Sequence, residues 1–193
     1  MEKLMEKFGK KGIFAILIAA LAVVAILIYL TVGRTKGGVT DETAIRNQPK
    51  APGDLTVDQN VINAGNAAWQ GQSYIQSAQS ALNIVNQKRS AAGLSALRWD
   101  DNLAACAMVR ATELPSAFSH TRPNGQDWYT LAPNVMYGEN LAYGYTSPDA
   151  AVNAWMNSPA HKQNILTPNF VSCGIGIYNA NGTWYWGQEF SYY

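Results

Sequence analysis

From Ile13 to Val32 the chain reads IFAILIAALAVVAILIYLTV, twenty residues without a charge. A helix of that length is about 30 Å long, the thickness of a bilayer's hydrocarbon core, so residues 13–32 are expected to cross a membrane. Lys3, Lys7, Lys10 and Lys11 precede the run, whereas only Arg34 and Lys36 follow closely. That asymmetry expects residues 1–12 in the cytoplasm and everything beyond Val32 outside, as a single-pass signal-anchor. The competing reading is a signal peptide removed on export, which would leave a secreted chain. The apolar run is longer than an ordinary signal-peptide core, and no small-x-small cleavage site follows it.

Beyond Lys36 there are eight Lys and Arg against eleven Asp and Glu, a net charge of −3. No basic run or stripe occurs, which argues against nucleic acid as a partner, because binding it rests largely on neutralising phosphates. The two cysteines, Cys106 and Cys173, fall in this exported part. The compartment permits a disulfide between them, and the alternative is two buried thiols.

Residues 33–72 are rich in Gly, Pro, Asn, Asp and Thr without sustained apolar periodicity, and are expected to form a flexible extracellular linker. Residues 73–193 suffice for one small domain. Ala78, Ala81, Leu82 and Val85 recur at helical spacing as far as Arg89, and Gly93 marks the end. A second helix is expected from about Asp100 to Leu114, with Leu103, Cys106, Ala107 and Arg110 on one face and Glu113 on the same side. Ser147-Pro148 and Ser158-Pro159 each read as a capping serine followed by a proline at the first helical position. At the C-terminus, Val171, Cys173, Ile175 and Ile177 share a strand face, Asn181-Gly182 is a hairpin turn, and Trp184, Trp186 and Phe190 alternate on the return. Helices first and a hairpin last imply an α+β fold, with helices packed on an antiparallel sheet.

Four polar residues stand out: His120, Glu139, His161 and Glu113. They are too dispersed for a local metal motif, and each has a plain structural reading. His120 is also consistent with a loop histidine bonded to backbone, and Glu139 with a carboxylate accepting amides at a turn. Glu113 is also consistent with an ion pair to Arg110, three residues earlier on a helix. His161, in the first turn of a short helix, sits where the helix dipole disfavours imidazolium. That favours the neutral ring, the form that binds metal.

The segments AGLSALRWDDNLAACAMVRATEL, FSHTRPNG, YGENLAYG, AVNAWMNSPAHKQNIL, CGIGIY and WYWGQEFS, in that order, resemble the CAP superfamily domain, also called the SCP or pathogenesis-related-1-like domain, in its bacterial extracellular branch. The resemblance covers roughly Ser80 to Ser191. It implies an α-β-α sandwich with a central antiparallel sheet, and a cleft in which two histidines and acidic residues hold a divalent cation. By position in the motifs those roles fall to His120, Glu139 and His161. A fourth, acidic position falls here on Ser158, in WMNS, which leaves Glu113 as the candidate to complete the set.

Two imidazoles and a carboxylate suit zinc, with a coordination position left open. The expected function is therefore a membrane-anchored extracellular binding module whose cleft holds a divalent cation and a small apolar, lipid, cell-envelope or host-surface ligand. The alternative is a metal-dependent, peptidase-like hydrolase with Glu139 or Glu113 as base. Against an enzyme, there is no nucleophile elbow and no phosphate loop, and Cys106 lies in an apolar stretch unsuited to a reactive thiolate.

Overall fold

The computed structural model describes residues 37–40 and 42–193. The run at 13–32 lies outside the described residues, and among those no helix is long and apolar enough to cross a membrane. The compact unit begins at Gly37, not near Ser73. The stretch expected to be a linker contributes β1 (Gly38–Val39), β2 (Ala44–Ile45) and α1 (Gln59–Ala68). Asp58 caps α1 by accepting from Asn60 N, and Gly65 lets it lie directly on the backbone of the helix that carries Ala105, where a Cβ would sit 2.2 Å from the Ala105 carbonyl oxygen.

Next come α2 (Gln72–Ala91), β3 (Arg98–Trp99) and α3 (Asp101–Glu113). Asp100 caps α3, its carboxylate accepting from the amides of Asn102 and Leu103. A short 3-10 turn, Trp128–Leu131, precedes β4 (Gly138–Tyr143). Then follow α4 (Pro148–Asn157), α5 (Pro159–Ile165), β5 (Ser172–Ala180) and β6 (Thr183–Ser191). Ser147 caps α4 as expected, accepting from Ala150 N. Asn181 and Gly182, at φ 52° and 87°, close the β5–β6 hairpin, the left-handed pair that its tight turn requires.

The sheet runs β1-β4-β6-β5-β3, with β2 also on the β4 edge. It is mixed rather than wholly antiparallel, because β3 joins β5 in parallel through Arg98↔Ser172 and Trp99↔Cys173. Val171, expected on the strand face, is exposed and lies just before β5.

Each face of the sheet carries its own core. On one side α2 and α4 bury Leu82, Val85 and Trp155 against Ile175, Ile177 and Trp186. On the other, α3 lies on β5 and β6 with almost nothing between. A Cβ on Gly174 would fall 2.1 Å from Ala104 N, and one on Gly176 would fall 2.4 Å from Met108 N. Cys173 belongs to the first core and Cys106 to the second, so the sheet separates them, and both thiols are free.

Candidate functional site

Arg110 faces the sheet from α3, fully buried, opposite Glu139 in β4, also fully buried. Its Nε donates to Glu139 Oε2 at 2.7 Å and its Nη2 to Oε1 at 3.3 Å. The remaining donors reach Ser119 O at 2.6 Å and Glu113 Oε2, while Arg122 holds the other oxygen of Glu113 at 2.8 Å. Glu113 is thus the ion-pair partner of two arginines, and the arginine stands between it and Glu139.

Glu139 in turn fixes His120. The ring Nδ1 lies 2.7 Å from Glu139 Oε1, which orients the imidazole so that Nε2 points outward. Burial alone would push the Glu139 carboxyl up. The hydrogen bond from His120 and then the Arg110 guanidinium outweigh this and hold it below the usual carboxylate range.

His161 arrives from the other face of the sheet. Its helix, α5, is tied to β4 through side-chain amides. Asn140 donates to His161 O at 3.2 Å and to Gln188 Oε1 at 3.0 Å, and Asn164 donates to the carbonyls of Ala44 and Glu139, each at 3.1 Å. Ser158 stands at the N-cap of α5, but its hydroxyl makes no capping bond. It lies 2.9 Å from His161 Nδ1 instead. The serine expected to cap the helix therefore orients the imidazole.

The two rings meet over the edge of β4, and Thr40 lies between them. Its hydroxyl is 3.0 Å from His120 Nε2 and 2.7 Å from His161 Nε2. For neutral rings the donors line up in one direction. His120 Nδ1–H donates to Glu139, Thr40 O–H donates to His120 Nε2, His161 Nε2–H donates to Thr40, and Ser158 O–H donates to His161 Nδ1.

One further carboxyl belongs to this region. Glu189 in β6 is the ladder partner of Glu139, and it is fully buried, with no nitrogen or oxygen donor placed to bond either oxygen among the described residues. Burial, then the negative charge of Glu139, raise its carboxyl well above the ordinary value.

The structure therefore brings His120, Glu139 and His161 together at one edge, with Glu113 behind Arg110. Sequence reasoning missed Thr40, Glu189 and the orienting role of Ser158. Thr40 sits in a stretch read as linker, and Glu189 has the alternating spacing of an outward-facing strand residue.

Comparison with known proteins bears on the same residues. The model of the cysteine-rich secretory protein family, CAP, matches residues 82–190. YkwD of Bacillus subtilis (strain 168) is 31% identical over 110 residues, 53% of this chain and 43% of YkwD. The membrane protein YlbC of the same organism is 28% identical over 106 residues, 50% of this chain and 30% of YlbC. The chain thus spans less than half the length of these relatives. Among solved structures, the chain is similar to an extracellular protein containing an SCP domain from Bacillus anthracis. The TM-score is 0.55 at 28% identity, over 62% of this chain and 41% of that one. The family match spans more than half of the 193 residues and takes in the motifs that carry His120, Glu139 and His161, and on that match the chain belongs to the CAP, or cysteine-rich secretory protein, family.

Proposed function

We propose that this chain is a membrane-tethered extracellular binding module of the CAP type, whose cleft takes a divalent cation at His120 and His161 and a small apolar or envelope-derived ligand beside it. The observation that carries the reading is the convergence of two Nε2 atoms on one point, 3.0 and 2.7 Å from the Thr40 hydroxyl, with each Nδ1 tied back to a second side chain. A carboxylate behind the ring is the usual support for a metal-binding imidazole. The hydroxyl of Ser158 can accept as readily as donate, so His161 can present its Nε2 lone pair without losing that partner.

The donor set fits a borderline ion in its nitrogens and departs from the expected one in its carboxylates. Among the described residues no group of three or more His, Cys, Asp and Glu is arranged to hold a metal. Glu139 was expected as a direct ligand, but it lies on the Nδ1 side of His120 with both oxygens engaged by Arg110 and the imidazole. Its role is to orient. His120 and His161 would hold the ion, and the ion would supply Lewis acidity at open coordination positions. Tethering and outside placement draw support from the apolar run at 13–32, the membrane relative YlbC and the extracellular Bacillus anthracis protein.

Calorimetric zinc titration of the full chain in detergent tests the site. His120→Ala and His161→Ala are each expected to lose zinc binding while retaining the circular dichroism spectrum. Unchanged affinity in both would sink the cation reading. Protease treatment of intact cells, expected to release the domain from the membrane fraction, tests the tether.

A further inference from the structure

Residues 37–40 read Gly-Gly-Val-Thr. They lie half-buried on the edge of β4, with only two ladder partners, Gly38↔Tyr143 and Val39↔Ala142. Their seat is shaped for a chain without side chains at the first two positions. A Cβ on Gly37 would fall 2.7 Å from Tyr143 O and 2.8 Å from the Tyr145 ring, and one on Gly38 would fall 2.6 Å from the Tyr143 ring. Val39 stands as a partition between two cavities. One, of about 380 Å³, is bounded by Val39, Tyr145, Asn157 and Ser158, and the other, of about 260 Å³, by Val39, Thr40, Phe118 and Ser119. With this segment withdrawn they would join into one trough along the β4 edge, passing the point where the Thr40 hydroxyl meets His120 and His161.

We infer that Gly37–Thr40 is an internal stand-in for a ligand, and that the trough is a site for an extended peptide of another protein, added as a strand to β4 and carrying a serine or threonine hydroxyl to the two imidazoles. The inference rests on the reading of this cleft as a binding site, and it puts an extended peptide where that reading has a small ligand. Two features select that class. Where β1 is displaced, the β4 edge at Ala142 and Tyr143 offers regularly spaced amides and carbonyls, which an extended backbone matches and a compact small molecule does not. The Thr40 hydroxyl bridges the two Nε2 atoms at 3.0 and 2.7 Å, and a group in its place has to suit rings that can each present a donor or an acceptor there. A hydroxyl both donates and accepts, whereas an ammonium only donates and a carboxylate only accepts.

The same segment from a second copy is a poorer occupant. β1 is followed after four residues by β2, which is itself paired with β4 at Ala44↔Glu139. A connection that short spans at most roughly 14 Å, so an exchanged β1 would have to carry β2 with it. The segment in cis also sits at an effective concentration on the order of millimolar, so an incoming peptide competes with it and binds the intact chain weakly.

The test uses the full chain in detergent and a fluorescein-labelled Gly-Gly-Val-Thr amide, followed by anisotropy. In the double variant Gly37→Val/Gly38→Val the internal segment cannot seat, and the peptide is expected to bind at least about tenfold tighter than to the wild type. A Gly-Gly-Val-Val peptide is expected to lose most of that affinity. Equal binding of the two peptides, or no gain in a double variant with an unchanged melting temperature, overturns the inference. Dimerisation of that variant in sedimentation also overturns it, in favour of exchange between copies. Should the double variant not fold, Thr40→Val removes only the hydroxyl bridge. A gain of about threefold is then expected, and no gain overturns the proposal. Zinc titration of the same proteins separates this inference from the cation reading, because zinc binding without peptide binding overturns the peptide site alone.

Discussion

Glu139 and Glu189 face each other across the β4–β6 ladder, both fully buried, yet only Glu139 has a guanidinium and an imidazole in contact. The two carboxyls are pushed in opposite directions, Glu139 below the ordinary range and Glu189 well above it. The opposite shifts favour a single negative charge on the pair, since two would repel.

Glu189→Gln should stabilise the fold as pH rises. The folded chain keeps a proton on Glu189 that the unfolded chain releases near the ordinary glutamate value. Stability from that group is complete below the unfolded value and is lost as pH rises through the folded one, by about 1.4 kcal/mol per pH unit. Urea melts of both proteins between pH 5 and 8 should diverge steadily, with the variant gaining at the higher pH. Parallel curves would show that Glu189 is ionised in the fold.

Arg110→Met should cost about 3–5 kcal/mol, because it leaves the buried Glu139 charge without its guanidinium. Arg110→Lys should recover little, since one ammonium cannot reach Glu139, Glu113 and Ser119 O together. Chemical denaturation decides this. A lysine variant as stable as the wild type would contradict the account.

Ser158→Ala should leave stability almost unchanged, because the hydroxyl caps no amide, yet weaken zinc binding by about tenfold through the loosened His161 ring. Calorimetry on a variant of unaltered melting temperature separates the two effects. A melting point lowered by several degrees with normal zinc affinity would assign the serine to helix capping.

Cys106 and Cys173 should both react with a thiol reagent in denatured, unreduced protein, and barely react in the native state. Burial first of all pushes both thiols up, away from the reactive thiolate. A cross-linked species lost only on reduction would mean that the sheet does not keep them apart.

Much of this architecture could be read in the sequence wherever a local rule acts alone. The periodic run ending at Gly93, the Ser147-Pro148 start and the Asn181-Gly182 turn each emerge as elements at the expected places. The candidate site residues came from the motif resemblance, because spacing did not distinguish them from ordinary polar positions. What stayed hidden depends on distant partners. β1 and β3 are two residues long and carry no period of their own, so only β4 and β5 make strands of them. Glu189 reads as outward-facing, and it is buried because Gly174 and Gly176 admit α3 onto that face. Ser158 obeys the capping rule in position and breaks it in bonding, since His161 competes for its hydroxyl.

The near absence of side chains between α3 and the sheet at Gly174 and Gly176 makes that contact a fixed datum for the whole cleft. A single methyl group at either glycine would lift the helix and draw Arg110 away from Glu139, loosening the carboxylate that orients His120. Variation that retunes what this cleft accepts is therefore confined to the loops and to the edge strand, where substitutions alter the lining and leave its foundation in place.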